Sequence, residues 1–335
     1  MKNPTIREIA SKVGVSPSAV FLAINGKKGV SEKTRRRIVQ AANEMGYVYH
    51  GESGLESIAA HSSRNIAVVL RSTLSPVEQI FYGEMLTNFI FQECDKQNLV
   101  PFLISSSQTS VTDALKNAGA DGVLALGDLA SVLLQEIEAC DIPTVTLDSS
   151  HIDNPALSVQ IAYDTAAYLG TMHLLDLGHR DIMYIGDDSM HDFNILTFRG
   201  YQKAIDEAHL LLPMDRVQIG VRNSETLHTA LDTIIQRDHR PSAILCATDA
   251  YALLTIRYLH ENKVRVPDDI SIVGIDDLLF SHSFIPALTT VHIDTQKIVH
   301  TGISMLIRAM NREPCQSVSI PDVNLVVRES TREFR

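Results

Sequence analysis

The sequence predicts an all-α helix-turn-helix head joined to an α/β core of two doubly wound, parallel-sheet lobes, and three observations carry that expectation. Charge is the first. Residues 1–50 hold nine Lys or Arg and three Glu, a balance of +6, whereas the other 285 residues hold 20 basic and 37 acidic groups, a balance of −17. A basic module on an acidic body is the electrostatic footprint of a polyanion binder confined to one end of the chain. The second is a pair of short capped helical patterns separated by Gly14-Val15-Ser16, the arrangement that lets a second helix enter a major groove. The third is an alternation, from Ile66 onward, of short apolar runs with amphipathic stretches, which implies right-handed βαβ units.

In the head, Thr5-Ile6-Arg7-Glu8 has the form of a capping box, in which hydroxyl and carboxylate satisfy backbone N–H groups of a first turn. Ile6, Ile9, Ala10 and Val13 then fall on one stripe, and Gly14 supplies the backbone freedom that ends the helix. Ser16 and Pro17 open a second helix, since serine caps and proline loses nothing at the first helical position. Its apolar positions are Ala19, Val20, Ala23 and Ile24. A third helix follows from Ser31, with Ile38, Ala41, Ala42 and Met45 inward. Without the charge, the same pattern would suit an ordinary three-helix bundle with a solvated face.

Residues 49–64 form a linker by composition, with Leu55, Ile58 and Ala59 spaced for a single helical turn that needs a partner to form. The core's β runs are Ile66 to Leu70, Val100 to Ile104, Gly122 to Leu126, Pro143 to Leu147, Ile182 to Gly186, Val217 to Val221, Ala243 to Ala247 and Ile270 to Ile275. Stretches such as Ile80 to Gln97, Tyr163 to Leu177, Thr197 to Ala208 and Ala250 to Asn262 are expected to be helices. So many units exceed one open sheet, which divides the core near residue 160. The expected lobes are 65–160 with 292–320, and 161–291 with 321–335.

Several classes of function find no support. No apolar run approaches the roughly 20 residues that cross a bilayer, and the polar N-terminus offers no signal core, so a cytoplasmic location is expected. Cys94, Cys140, Cys246 and Cys315 are far apart and lack metal-binding spacing, which leaves them as small thiols beside apolar segments. GxxxxGK[ST] and GxGxxG are absent. Gly51-Glu52-Ser53-Gly54 lacks the context of a nucleophile elbow, and His179-Arg180-Asp181 lacks the asparagine of a kinase catalytic loop. His173 and His179, six apart, do not share a helical face as metal ligands would. No cofactor, metal or catalytic residue is expected. Asp148, Asp249 and the pair Asp276-Asp277 each follow an apolar run. Carboxylates at strand C-termini lie where open α/β sheets bind ligands, and they suit hydroxyl-rich molecules.

Taken in order, Thr5-Ile6-Arg7-Glu8-Ile9-Ala10 with Gly14-Val15-Ser16, Val30-Ser31-Glu32-Lys33-Thr34-Arg35, Gly46-Tyr47, Leu177-Gly178-His179-Arg180, Arg199-Gly200-Tyr201, Val266-Pro267-Asp268-Asp269-Ile270-Ser271, Gly274-Ile275-Asp276-Asp277, Pro286-Ala287-Leu288-Thr289-Thr290-Val291 and Val327-Arg328-Glu329-Ser330-Thr331 resemble the lactose-repressor/galactose-repressor family of bacterial transcription regulators nearly end to end. The resemblance implies a DNA-binding head, a hinge helix that orders on the operator, and a core like periplasmic sugar-binding proteins. It also implies a homodimer, or a tetramer built on it, and an operator affinity switched by a small sugar or sugar phosphate in the interlobe cleft. Carried over by position, the DNA-binding set is Thr5, Ser16, Pro17, Ser18, Phe21, Leu22, Asn25, Ser31, Thr34, Tyr47 and His50, with Ile58 as the wedge for the minor groove. The effector-binding set is Arg71, Ser72, Phe81, Asp148, Thr197, Thr248, Asp249 and Asp276.

Three departures qualify the resemblance. Phe21 and Leu22 stand where many relatives have Ser and Arg, exchanging polar readout for contact with thymine methyls and predicting a shifted operator. The hinge is two residues longer and carries Glu52 and Glu56, whose charge opposes DNA. Thr197 occupies the position of the family's sugar-gripping arginine, and Arg199 is turned about 200° away on a helix. Arg71, at the end of the first core strand, is a way to return positive charge to the cleft and favours an anionic effector. A protein partner in place of a small molecule is the alternative reading.

Overall fold

The computed structural model describes residues 5–24, 29–45, 64–70, 83–106, 110–127, 129, 131–148, 157–187, 192–221, 223–235 and 240–334. The chain divides into a unit over Met1–Arg64 and a second over Asn65–Arg335.

Among the described residues three helices make the head: α1 (Ile6–Val13), α2 (Pro17–Ile24) and α3 (Glu32–Glu44). The capping box is present at both ends: the Thr5 backbone N–H donates to Glu8 Oε2 at 2.6 Å, and the Glu8 N–H donates to Thr5 Oγ1 at 3.3 Å. Gly14, at φ +72°, closes α1 in the left-handed region that a side chain disfavours. Ile9, Ala10 and Val13 from α1, Val20 and Ala23 from α2, and Ile38, Ala41 and Ala42 from α3 form one small core. Gathering apolar groups on facing stripes is what holds helices this short, since isolated they do not persist.

The second unit contains two six-stranded sheets. The first has the order β11-β5-β4-β3-β1-β2 and takes β1 (Arg64–Leu70), β2 (Leu99–Ser105), β3 (Gly122–Leu126), β4 (Thr144–Leu147), β5 (Leu157–Ile161) and β11 (Val318–Ile320). The second has the order β12-β10-β9-β8-β6-β7 and takes β6 (Ile182–Ile185), β7 (Val217–Gln218), β8 (Ala243–Cys246), β9 (Ser271–Asp276), β10 (Thr289–Ile293) and β12 (Val323–Val326). The helices between them are α4 (Glu84–Lys96), α5 (Val111–Ala118), α6 (Ser131–Glu138), α7 (Tyr163–Asp176), α8 (Asp192–Glu207), α9 (Ser224–Ile235), α10 (Asp249–Glu261) and α11 (Thr295–Met310). The doubly wound two-lobe core expected from the alternation is therefore what forms.

Four strands, β5, β10, β11 and β12, lie outside the eight runs expected, and two further details depart from the expectation. The sheets are not wholly parallel, because β12 pairs antiparallel with β10, Val291 facing Leu325. The run Val217 to Val221 pairs over only two residues, since Gly220 turns out of the extended region at φ +96°. The central strands β3, β4, β6, β8 and β9 are buried throughout, as strands covered on both faces must be.

The chain changes sheet three times: between β5 and α7, between β10 and α11, and between β11 and β12. Helices approach closely where glycine allows. A Cβ on Gly200 of α8 would stand 2.0 Å from the Asp164 carbonyl oxygen of α7, and one on Gly302 of α11 would stand 2.2 Å from Leu147 of β4.

Candidate nucleic-acid interface and effector cleft

The reading helix α2 is held by its buried side and presents its other side outward. Val20 and Ala23 point into the head core, while Ser16, Pro17 and Ser18 are exposed, Phe21 is 43% exposed and Leu22 is half-buried. Ser16 Oγ accepts the Ala19 N–H at 3.2 Å, capping α2 as its position requires. Ser31 likewise caps α3, accepting the Thr34 N–H at 3.2 Å, and its hydroxyl lies 2.8 Å from Thr34 Oγ1. Thr5 donates its hydroxyl to Glu8 Oε2 at 2.9 Å. These three hydroxyl residues therefore sit at helix N-termini, where backbone N–H groups and the positive dipole end favour phosphate. Asn25, Tyr47, His50 and Ile58 lie outside the described residues, as do the hinge carboxylates Glu52 and Glu56.

Arg35 and Arg37 of α3 reach back to the other two helices. Arg35 Nη1 donates to the Ala23 carbonyl at 2.8 Å and to the Leu22 carbonyl at 3.3 Å; Arg37 Nη2 donates to the Val13 carbonyl at 3.1 Å. Composition counts both among the basic groups available to a polyanion, and only their hydrogen bonds show that helix ends take them up.

In the core the strand-end acids occupy the ends the rule assigns. Asp148 follows β4 in the left-handed region at φ +58°. Thr248 follows β8 and caps α10, accepting the Tyr251 N–H at 3.3 Å. Asp276 ends β9 at φ +121°, nearly buried. Asp187 was not foreseen, although it follows β6 as the others follow their strands; its N–H donates to Asn194 Oδ1 at 3.3 Å, and it lies 3.3 Å from the Tyr251 hydroxyl. Asp277 is spent elsewhere, accepting from Arg328 Nη2 at 2.6 Å and lying 3.0 Å from His292 Nδ1.

Two of the expected effector residues are buried and bonded within the core. Thr197 is 0% exposed: its hydroxyl lies 2.8 Å from that of Tyr184 and donates to the Phe193 carbonyl at 3.0 Å, so it completes the core. Asp249 is also 0% exposed. Its carboxylate accepts from Ser281 Oγ at 2.5 Å, Thr290 Oγ1 at 2.5 Å and the Leu278 N–H at 2.9 Å. It fastens the loop after β9 to α10 from inside. A Cβ on Gly274 would come within 2.3 Å of Asp249 Oδ1, which accounts for the glycine in Gly274-Ile275-Asp276-Asp277. Burial pushes the Asp249 carboxyl up to about 7, against the lowering effect of its three donors. Arg71, Ser72 and Phe81 lie outside the described residues.

The remaining motifs prove to be fastenings for the last residues of the chain. His179, buried after α7, sits 3.0 Å from Ser242 Oγ and 3.1 Å from the Arg332 carbonyl; burial lowers its basicity. His173 is 3.0 Å from Thr331 Oγ1. Ser330 Oγ donates to the Ile272 carbonyl at 2.6 Å and accepts the Thr289 N–H at 2.8 Å. Asp181 is paired with Arg216 through Nε and Nη2. Cys94 and Cys246 are buried thiols pushed up to about 12 by desolvation. Among the described residues no group of His, Cys, Asp or Glu is arranged to hold a metal ion, and no helix is long and apolar enough to cross a membrane.

Comparison with known proteins matches two segments of the chain. Residues 5–49 match the family of bacterial regulatory proteins, lacI family, and residues 171–331 match the periplasmic binding protein-like domain. Among characterised relatives, the HTH-type transcriptional repressor PurR of Histophilus somni is 25% identical over 98% of this chain and 99% of that protein. PurR of Vibrio campbellii is 27% identical over the same shares. Among solved structures, the lac repressor dimer bound to operator and the anti-inducer ONPF superposes with a TM-score of 0.73 at 24% identity, over 99% of this chain and 100% of that one. A complex of the transcriptional regulator CelR with cellobiose gives 0.71 at 22% identity, over 98% and 100%.

Proposed function

We propose that the chain is a member of the LacI family of bacterial regulatory proteins and a transcriptional repressor of carbohydrate-utilisation genes, acting in the cytoplasm as a homodimer on operator DNA. The observation that carries this is the outward face of α2, with Ser16, Ser18 and Phe21 exposed on a helix whose other side is locked into the head core. The core senses a small sugar or sugar phosphate at the strand ends where Asp148, Thr248 and Asp276 stand, and effector binding changes operator affinity through the coupling of two sites in one molecule. Non-enzymatic action fits relatives that are named as repressors.

Within this reading the effector is anionic and held in part by Arg71, because Thr197 brings no charge to the cleft. Calorimetry with glucose and glucose 6-phosphate tests it: tight binding of the neutral sugar, undiminished by Arg71→Ala, would overturn it. The burial of Thr197 also favours a second reading, in which the core answers to a protein partner. A salt titration of DNA binding separates the two. Affinity falls steeply with salt if phosphates are contacted, and indifference to every sugar and sugar phosphate tried supports the protein partner.

A further inference from the structure

We propose that Arg35 is a positioning residue for operator reading, one that sets the C-terminal end of α2 without contacting a phosphate. The inference rests on the DNA-binding reading above. A helix leaves its last four carbonyls without intrahelical partners and gathers partial negative charge there, and a cationic donor at that end satisfies both. α2 spans Pro17–Ile24, so the Leu22 and Ala23 carbonyls lie in its last turn. Arg35 Nη1 donates to both, at 3.3 and 2.8 Å, from a half-buried position on α3. No acidic or basic residue of α2 itself does this, since its sequence PSAVFLAI is uncharged.

Geometry makes the contact specific to reading. One of the two carbonyls belongs to Leu22, which with Phe21 forms the apolar part of the face offered to bases. Shifting this end of α2 by a fraction of an ångström displaces those two side chains and leaves Ser16 and Ser31, at the opposite ends of their helices, where they are. Arg37 makes the corresponding bond at the end of α1, to Val13, so α3 fixes the C-termini of both its neighbours.

A phosphate contact weakens binding to every sequence alike and lowers the salt slope, whereas misplacing a reading helix weakens only the cognate sequence. The full-length protein is tested on two duplexes: one recovered by the wild-type chain from a random pool, and a scrambled duplex of the same length and composition. Dissociation constants are measured by fluorescence anisotropy across a salt series. Arg35→Ala is expected to bind the recovered duplex about tenfold more weakly at a fixed salt concentration, to bind the scrambled one within about twofold of wild type, and to keep the wild-type slope on both.

Loss of about 0.9 from the slope on each duplex, with both affinities falling together, would identify Arg35 as a phosphate contact and overturn the proposal. A change under twofold on the recovered duplex would overturn it as well. Should Arg35→Ala unfold the head, seen as lost binding to both duplexes, Arg35→Gln decides: it is neutral but still a donor, so a preserved slope supports positioning and a slope reduced by about 0.9 refutes it. A wild-type chain that recovers no duplex from the pool sinks the DNA-binding reading itself, which is a separate failure.

Discussion

Thr197 shows how far one residue can move a site. Where the family resemblance implies an arginine, this chain closes the position with two hydroxyls, Thr197 against Tyr184, inside an aromatic cluster with Phe198 and Tyr201. Thr197→Val keeps the volume and strands the Tyr184 hydroxyl, and urea unfolding is expected to show a loss of about 1–3 kcal/mol, the cost of a buried polar group left without its partner. Asp249 gives a prediction in pH. Its carboxyl, raised in the folded state to about 7, binds a proton there that the unfolded chain releases near the ordinary carboxylate value of about 4. Its contribution to stability is thus full below about 4 and is lost as pH rises through about 7, so that decline should be missing from Asp249→Asn in urea unfolding from pH 4 to 8. At the head, Phe21→Ser with Leu22→Arg is expected to change the site selected from a random pool; an unchanged site would mean that those residues do not read bases. The sequence could place Asp249 at a strand end and Thr197 on a helix, although that helix begins five residues earlier than expected, at Asp192. It could not show that they face inward, because that depends on tyrosine and loop partners distant in the chain.

Elements were legible in proportion to how locally they are determined. The three head helices carry their own caps and stripes, so Thr5, Gly14 and Ser16 mark their ends before any tertiary contact is known. The short strand β5 has Ser158 and Gln160 in it, and β12 has Asn324, so neither shows the unbroken apolar run by which the central strands announce themselves. Helix pairs bring their own predictions. Gly200→Ala would push a methyl carbon to within 2.0 Å of a backbone oxygen of α7, and a loss of about 1–3 kcal/mol or more is expected by urea unfolding. Glu93 of α4 lies 2.9 Å from His300 of α11 and 3.0 Å from Lys96, and its carboxyl is held below the ordinary value, chiefly by the hydrogen bond with His300. A depressed carboxyl stabilises the fold above its unfolded pKa and ceases to as pH falls through its folded one. Glu93→Gln should therefore flatten the acid limb of stability below about pH 4, with wild type and variant converging at lower pH.

At the scale of the molecule, charge partition and the alternation of strand and helix indicated a head on a two-lobe core, and the matches of 5–49 to the lacI family and of 171–331 to the periplasmic binding protein-like domain agree with it. The route of the chain was less legible: the pairing of β11 with β5 and of β12 with β10 joins segments more than a hundred and about thirty residues apart, which no local pattern encodes. A dimer with two heads requires an operator of two half-sites, so the duplex recovered from a random pool is expected to be an inverted repeat with centres about 10 base pairs apart or a multiple of that. Sequencing the recovered pool checks this, and a single unrepeated site would count against a dimeric reader.

The three crossings between sheets also set a timetable for synthesis. The helices of the head are finished within the first 45 residues and close their own small core, so they can fold as soon as they leave the ribosome. Neither lobe has that freedom. The first waits for α11 and β11, the second for β12 and for Ser330, so both complete almost together, more than a hundred residues after their first strands. A chain cut short before α11 carries a head with its own closed core attached to two open sheets, a product that quality-control proteases would have reason to remove.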